Sequence, residues 1–161
     1  MLSDPPRDFQ GVVTPHDHEG ISDTDLLIRG VVFAFPQVVP DPKCVSGQRL
    51  SSAVFNQSTD KYKGISVDLQ AEIELNGLDP ATYVRSNGKW AGAVVIRADS
   101  VRQLGGKVGY SPLPGNVYHG EIWGEMLKRL SAKNALLRAC SWLVPLPGVD
   151  LRPSDPTPTQ D

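Results

Sequence analysis

Apolar residues in this chain occur in short runs, separated by turns that are rich in proline, glycine and aspartate. The runs at residues 26–35 (LLIRGVVFAF) and 91–98 (AGAVVIRA) are dense in small and β-branched residues, which predicts two largely buried strands. Four shorter runs predict further strands at residues 51–55, 65–67, 107–110 and 119–123. These runs are therefore expected to form a small β-sheet.

Helical spacing of apolar residues is clearest near the C-terminal end. Between residues 132 and 143, alanine and leucine recur at helical intervals before Pro145, which predicts an amphipathic helix. Asp68 is expected to cap a second helix, and Asp79 followed by Pro80 to begin a third. Strands and helices alternate without a regular βαβ rhythm, so the predicted fold is α+β, with a small mixed or antiparallel sheet and a C-terminal amphipathic helix.

The length and the apolar content favour a single domain. The 161 residues are 40% apolar, which is enough for one core. We expect a globular α+β domain over residues 26–147, preceded by a partly ordered N-terminal arm at residues 1–25. Residues 148–161 are poor in apolar surface and are expected to form a disordered tail.

The charge and the cysteines restrict the function and the location. A net charge of -2 and a pI of about 5.9 create no overall field that attracts nucleic acid or a membrane. The longest apolar runs are much shorter than the ~20 residues of a membrane span. Two distant cysteines and a start without a signal-peptide pattern indicate a cytoplasmic protein. No Gly-rich phosphate loop, nucleophile elbow or Cys-x-x-Cys motif is present, so no cofactor is expected.

Arg49, Ser51 and Ser52 form a first group of candidate binding residues. On a strand, Arg49 and Ser51 lie on the same face. A guanidinium pairs well with phosphate or carboxylate, so these two side chains are candidates for binding one anion together. The alternative is structural: Arg49 satisfies loop carbonyls and the serines cap a strand edge.

A second group is Asn116, His119 and Glu121, in the segment SPLPGNVYHGEIW. Two prolines and a glycine restrict the loop, so Asn116 and His119 are presented with little loss of entropy. His119 and Glu121 lie on one face of the predicted strand, where the imidazole can act as a general acid or base. The alternative is that His119 is a hydrogen-bonded residue beside a turn, held by Asn116.

The sequence His16-Asp17-His18 is a third candidate. Two histidines on one side of an extended segment form half of many metal sites, and His119 or Glu121 is the available third ligand. The commoner alternative is an ordered arm whose histidines bond to the backbone, and the expectation is that no metal binds.

The order of several sequence elements resembles that of a group of small, uncharacterised bacterial proteins. These share Arg-x-Ser-Ser-x-x-Phe, Ser-Val-Asp and Pro-Leu-x-x-Asn-Pro-x-His elements, which correspond here to RLSSAVF, SVD and PLPGNVYH. This chain differs at Val117, where the group has proline, and at Ser111, where aspartate is usual. The resemblance implies a shared layout and no particular activity.

Two functions from different classes remain. The first is an accessory or interaction module of a bacterial gene cluster, which meets a protein partner through Arg49, His119 and Trp123, since arginine and aromatic residues often anchor interfaces.

The alternative is an enzyme that acts on a phosphorylated or nucleotide substrate. Arg49 and Ser51 would hold the anion, and Asn116 or Glu121 would orient His119 as acid or base. The order Arg29, Ser51 or Ser52, Glu121 also resembles the Arg, Ser, Glu order of ADP-ribosyltransferases. Short strands beside the buried strand at residues 91–96 have few other ways to pair, so residues 49–52 and 116–123 are expected to join one sheet, with His119 near the serines.

Overall fold

The structure, a computed structural model, describes residues 2–153 of the 161. In this part of the chain the strands are β1 (Leu26–Val31), β2 (Val38–Pro40), β3 (Gln48–Leu50), β4 (Ile65–Leu69), β5 (Gly92–Arg97), β6 (Lys107–Tyr110), β7 (His119–Trp123) and β8 (Ser141–Val144). The helices are α1 (Gln70–Leu75), α2 (Pro80–Ser86), α3 (Ala98–Arg102) and α4 (Leu130–Ala139), with short 3₁₀ helices at Ser52–Phe55 and Glu125–Lys128. The fold is α+β, as predicted.

Six strands form one antiparallel sheet in the order β6-β7-β4-β1-β5-β8. Strand β1 pairs with β5 along its whole length, from Leu26 to Val31. It pairs with β4 only at Leu27 and Ile28. Beyond Ile28 the strands β1 and β4 therefore separate, and the sheet is split at this point.

Each face of the sheet is covered by helices. Because successive residues of a strand point to opposite faces, Leu27 faces the larger core with α4 and the first 3₁₀ helix, while Ile28 faces a smaller core with α1 and α2. Full burial of one such side chain contributes about 1.5–3 kcal/mol, so both faces stabilise the sheet. The smaller core leaves part of its face uncovered, beside β4 and β7.

The N-terminal arm is ordered over residues 2–25 and lies along the outer edge of β6. The His18 amide donates to the carbonyl of Val108 at 2.8 Å, and the Val108 amide donates to the Asp17 carboxylate at 3.0 Å. Arg102 also donates to Asp17, at 3.0 Å. The arm thereby covers backbone groups that an edge strand otherwise leaves unpaired.

Two predictions about the middle of the chain are wrong. Residues 51–55 form no strand, because the Ser51 hydroxyl accepts the Ala53 amide and caps a 3₁₀ helix. The strand before it, β3, pairs with β2 in a separate two-stranded sheet, and so does not join β7. The connection at residues 41–47 brings β2 and β3 together, and the Asp41 amide donates to the Gly47 carbonyl at 2.9 Å across it.

Other boundaries also differ from the prediction. Asp68 lies within β4 and caps no helix, since α1 begins at Gln70. Helix α4 ends at Ala139, and Leu143 belongs to β8, an edge strand that pairs with β5. By contrast, Asp79 caps α2 as predicted, with its carboxylate accepting the Thr82 amide at 2.9 Å.

The predicted C-terminal tail is ordered over its first residues. The Asp150 amide donates to Gln48 and the Leu50 amide donates to Asp150, both at 3.0 Å, while Val149 is buried in the larger core. Val149 and Asp150 are therefore held against β3 and the larger core. The rest of the predicted tail, residues 154–161, lies outside the described residues. Within residues 2–153, no helix has the length and apolar character needed to cross a membrane.

Candidate functional site

Arg29 lies where β1 and β4 separate. Its guanidinium donates to the carbonyls of Val54 and Ser66, each at 2.8 Å. None of the ion pairs in residues 2–153 includes Arg29. Burial lowers the pKa of this guanidinium below its ordinary value. A desolvated cation that contacts only neutral carbonyls is incompletely compensated, so an anionic ligand is the natural complement.

Glu121 lies opposite Ser66, in the next pair of strands. The two residues are register partners on β7 and β4, so their side chains project from the same face, with Cβ atoms about 5 Å apart. Burial raises the pKa of Glu121 to about 7, and the charge of Asp60 adds to this rise while the Trp123 indole opposes it. The carboxyl group therefore changes its charge near neutral pH, as an acid, a base or a charge-stabilising group requires.

Glu121 lines a cleft of about 450 Å³, which is within the size range of ligand sites. The walls are the N-terminal hairpin with its Arg7 and Val13 bridge, the loop at residues 60–63 and the loop at residues 111–114. The rim is mixed in charge, since Arg7 and two lysines face Asp60 and Glu121. We call this space the Glu121 cleft.

The N-terminal hairpin is fastened to the opposite wall by Asp8. This carboxylate accepts from the Lys61 ammonium at 2.8 Å and from the Tyr62 hydroxyl at 2.7 Å. These hydrogen bonds hold the pKa of Asp8 well below its usual range. One wall of the Glu121 cleft is thus supplied by the first residues of the chain.

A buried polar network lies on the same face, next to Ser66. Asp68 is 2% exposed and accepts from the Asn116 amide at 2.9 Å and from the Tyr83 hydroxyl at 3.2 Å. The Asn116 carbonyl oxygen accepts the Tyr118 amide at 3.1 Å. Burial, together with the neighbouring Asp68, raises the pKa of Tyr83. The network fixes the loop at residues 111–118 against β4 and α2.

His119 is buried beside this network, as the register partner of Asp68. Its Nδ1 donates to the carbonyl of Ser111 at 2.6 Å, which leaves Nε2 as the acceptor nitrogen of a neutral imidazole. The residue also lines a smaller pocket of about 130 Å³, together with Asp68, Trp90 and Arg29. We call this space the Asp68 pocket.

The structure separates Arg49, Ser51 and Ser52 from this site. Arg49 forms an ion pair with Asp41 at 2.7 Å, and the Ser51 hydroxyl donates to the Pro36 carbonyl. Ser52 is the first residue of the 3₁₀ helix. These three residues line neither the Glu121 cleft nor the Asp68 pocket.

The predicted partners of His119 are also different. Asn116 bonds to Asp68, and the Ser111 carbonyl orients the imidazole in place of Asn116 or Glu121. Trp123 and His119 are 3% and 7% exposed, so they form no exposed interface with Arg49. The structure does not place His119 beside Ser51 and Ser52 as predicted, because β3 belongs to the separate sheet; the serine that lines the Asp68 pocket with His119 is Ser66.

The two N-terminal histidines, His16 and His18, form hydrogen bonds that hold the N-terminal arm in place. His16 Nδ1 donates to the Thr14 carbonyl at 2.8 Å and its Nε2 accepts the Tyr110 amide at 3.2 Å. His18 Nδ1 accepts the Gly20 amide at 2.9 Å, while its Nε2 donates to the Ser3 carbonyl at 3.0 Å. All four ring nitrogens bond within the chain. Over residues 2–153, no group of three His, Cys, Asp or Glu side chains is placed to hold a metal.

Sequence reasoning missed Ser66, Asp68, Tyr83 and Trp90 as site residues. A signal for the first two was present, because Ser66 and Asp68 alternate within a short apolar run and so share one face of a strand. Tyr83 and Trp90 come from α2 and the turn after it, and no local pattern connects them to β4.

The fold and the site together define a small α+β protein with a polar cleft on one face of a split antiparallel sheet. Comparison of the chain with protein-family models, with curated proteins and with solved structures found no match.

Proposed function

We propose that this protein is an enzyme that acts on a nucleotide, with Arg29, Ser66 and Glu121 in its active site. The observation that carries the proposal is their placement on three neighbouring strands: the Arg29 guanidinium donates to the backbone carbonyl of Ser66 at 2.8 Å, and Ser66 is the register partner of Glu121 on the adjacent strand. These residues follow the Arg, Ser, Glu order of ADP-ribosyltransferases, with Ser66 in place of Ser51 or Ser52. The resemblance implies transfer of a ribosyl group.

Each side chain has a physical role in such a reaction. Arg29 uses its remaining N–H donors to bind a phosphate of the substrate. Breaking the bond between ribose and base leaves positive charge on the ribose carbon, and the Glu121 carboxylate stabilises that charge. The base leaves with the bonding electron pair, and water or an acceptor group supplies the pair that forms the new bond. Ser66 lies beside the carboxylate and restricts its position.

Nucleotide turnover and binding test the proposal directly. The protein is incubated with NAD, with other nucleotides and with oligonucleotides, products are separated by chromatography, and melting temperatures are measured. Glu121→Gln is expected to lower turnover of the active nucleotide by roughly 100-fold or more while binding persists. Glu125→Gln removes an exposed carboxylate that pairs with Lys128, and serves as the control.

The pH profile provides a second test. The carboxylate form of Glu121 is the active one, so the rate is expected to rise as the pH passes through about 7. Arg29→Gln is expected to weaken binding of the phosphorylated substrate, whereas Arg97→Gln, at a surface pair with Asp99, is expected to leave it unchanged. The proposal fails if no nucleotide shifts the melting temperature or is turned over, since ligand at about 100 times its Kd adds about 2.7 kcal/mol of stability.

A second candidate is an accessory module with a protein partner, in the bacterial cytoplasm. It is supported by exposed aromatic side chains that follow β1: Phe33 is 56% and Phe35 is 82% exposed. Co-purification from the native host is expected to recover a stoichiometric partner, and Phe35→Ser to lose it. Recovery of the protein alone from that host would count against this role.

A further inference from the structure

The Asp68 pocket is a second recessed space on the sheet, distinct from the Glu121 cleft. Gly30, Ser66 and Trp90 are among its lining residues. The Trp90 ring packs against the backbone of Gly30 so closely that a side chain at that position would collide with it. The absence of a side chain at Gly30 therefore lets an aromatic ring border the pocket. A volume of about 130 Å³ accommodates a small group and excludes a whole nucleotide.

One side of the pocket presents hydrogen-bond acceptors. Asp68 accepts only from the uncharged donors Asn116 and Tyr83, and none of the ion pairs in the described chain includes it. Each carboxylate oxygen keeps a free lone pair. The Nε2 atom of His119 adds another acceptor, because Nδ1 is committed to Ser111. A ligand group with N–H donors complements this side.

Arg29 is also a lining residue, on the β1 side of the pocket, but its side chain shares the face of Leu27 and donates to the carbonyl of Val54. The side chains that border the pocket therefore include acceptors and one aromatic ring. This arrangement fits a planar group that donates hydrogen bonds from its edge. The Trp90 ring suits a flat heterocycle, since aromatic rings pack on one another in offset or edge-to-face geometry.

We propose that the Asp68 pocket binds the amino-bearing heterocyclic base of the nucleotide, and that Asp68 determines specificity by accepting a hydrogen bond from its NH₂ group. The inference rests on the proposed function. Beyond the proposed function, it specifies which part of the substrate is recognised and which residues recognise it. Two groups in NAD share this chemistry: the carboxamide of the nicotinamide ring and the exocyclic amine of adenine.

The experiment compares NAD with two analogues, each of which lacks one of these NH₂ groups. The 3-acetylpyridine analogue lacks the carboxamide NH₂, and the hypoxanthine analogue lacks the adenine amine. Binding is measured by calorimetry with the wild-type chain. One analogue is expected to bind roughly 10- to 100-fold more weakly than NAD, because it leaves a buried acceptor unpaired. The affected analogue identifies the base that occupies the pocket.

A pair of variants separates recognition from structural support. Asp68→Asn replaces one acceptor oxygen by a donor, and is expected to reduce the discrimination between NAD and the affected analogue to less than about threefold. Tyr83→Phe removes a hydrogen bond from the same network through a residue that does not line the pocket. Tyr83→Phe is expected to retain the discrimination between NAD and the affected analogue. If the role of Asp68 is merely structural, both variants should discriminate to the same extent.

Three outcomes overturn the inference. Equal binding of NAD and both analogues by the wild-type chain removes it and leaves the proposed function standing, and this comparison needs no variant. Equal loss of discrimination in Asp68→Asn and Tyr83→Phe assigns Asp68 to structural support. Failure of every nucleotide to bind removes the proposed function, and the inference with it.

Discussion

At the scale of single residues, two ionisable side chains, Arg29 and Glu121, lie where water has limited access. Burial lowers the pKa of Arg29 and raises that of Glu121, so in each case burial works against the charged form. Neither residue belongs to an ion pair in the part of the chain that the structure describes. Such groups reduce the free energy of unfolding, and a site that uses their charge explains why the sequence carries them.

Glu121 is expected to make stability depend on pH. Its pKa rises from 4.5 to about 7 on folding, so its contribution is fully present below pH 4.5 and is lost as the pH rises through 7. Glu121→Gln lacks this titration. The free energy of unfolding of the wild-type chain should therefore fall, relative to that of Glu121→Gln, between pH 4.5 and pH 8. Urea melts at these two values measure the change.

The matched control for this measurement is Glu125→Gln. Pairing with Lys128 lowers the pKa of Glu125, so this variant should show no loss of wild-type stability over the same pH interval. If the difference between wild type and Glu121→Gln is the same at both pH values, Glu121 is not desolvated as the structure indicates.

At the scale of elements, the outer strand β6 is protected by a crossing segment. Gly109 lies in the middle of β6, where a Cβ atom would meet the carbonyl oxygen of His16 at 2.8 Å and also collide with the Trp123 ring. The close approach of three segments thus depends on the missing side chain. It allows the N-terminal arm to contact β6 and β7 together.

Gly109→Ala is expected to lower the free energy of unfolding by about 1–3 kcal/mol, because the added methyl group overpacks a contact that includes backbone. Gly88→Ala is the control: Gly88 lies in an exposed turn, with no atom within 4 Å of the added Cβ. Its effect should be within about 0.5 kcal/mol. Equal urea midpoints and slopes for the two variants would show that the arm does not press on Gly109.

At the scale of the whole molecule, the two ends of the described chain complete the domain. The N-terminal arm is fixed by Arg102, which donates to Asp17 at 3.0 Å, to Asp23 at 2.8 Å and to the Ile21 carbonyl at 2.7 Å. The last described residues bond to β3 through Asp150. Because the arm also forms one wall of the Glu121 cleft, its attachment affects the site as well as the fold.

Arg102→Gln is expected to lower the free energy of unfolding by about 1–3 kcal/mol, because it breaks several hydrogen bonds of a side chain that is 20% exposed. Arg97→Gln removes a surface pair whose arginine is 53% exposed, and should cost less than about 1 kcal/mol. Hydrogen exchange at Val108, whose amide donates to Asp17, should accelerate in Arg102→Gln alone. Unchanged exchange there would mean that Arg102 does not hold the arm.

The sequence by itself determined the fold class, the two central strands and the start of α2. These features follow from interactions between residues that are close in sequence: β-branched runs favour strands, and Asp79 with Pro80 favours a helix start. It also pointed to Arg29 and Glu121, through their order along the chain.

Only the tertiary structure decided which of these residues meet. The pairing of β4 with β7 joins segments that are distant in sequence, so no local pattern predicts that Ser66 faces Glu121. The same local sequence around Ser51 suits a strand or a capped 3₁₀ helix, and packing against α4 accompanies the second. The site exists because the split between β1 and β4 exposes side chains from strands that are dispersed along the chain, and that split is a property of the assembled sheet.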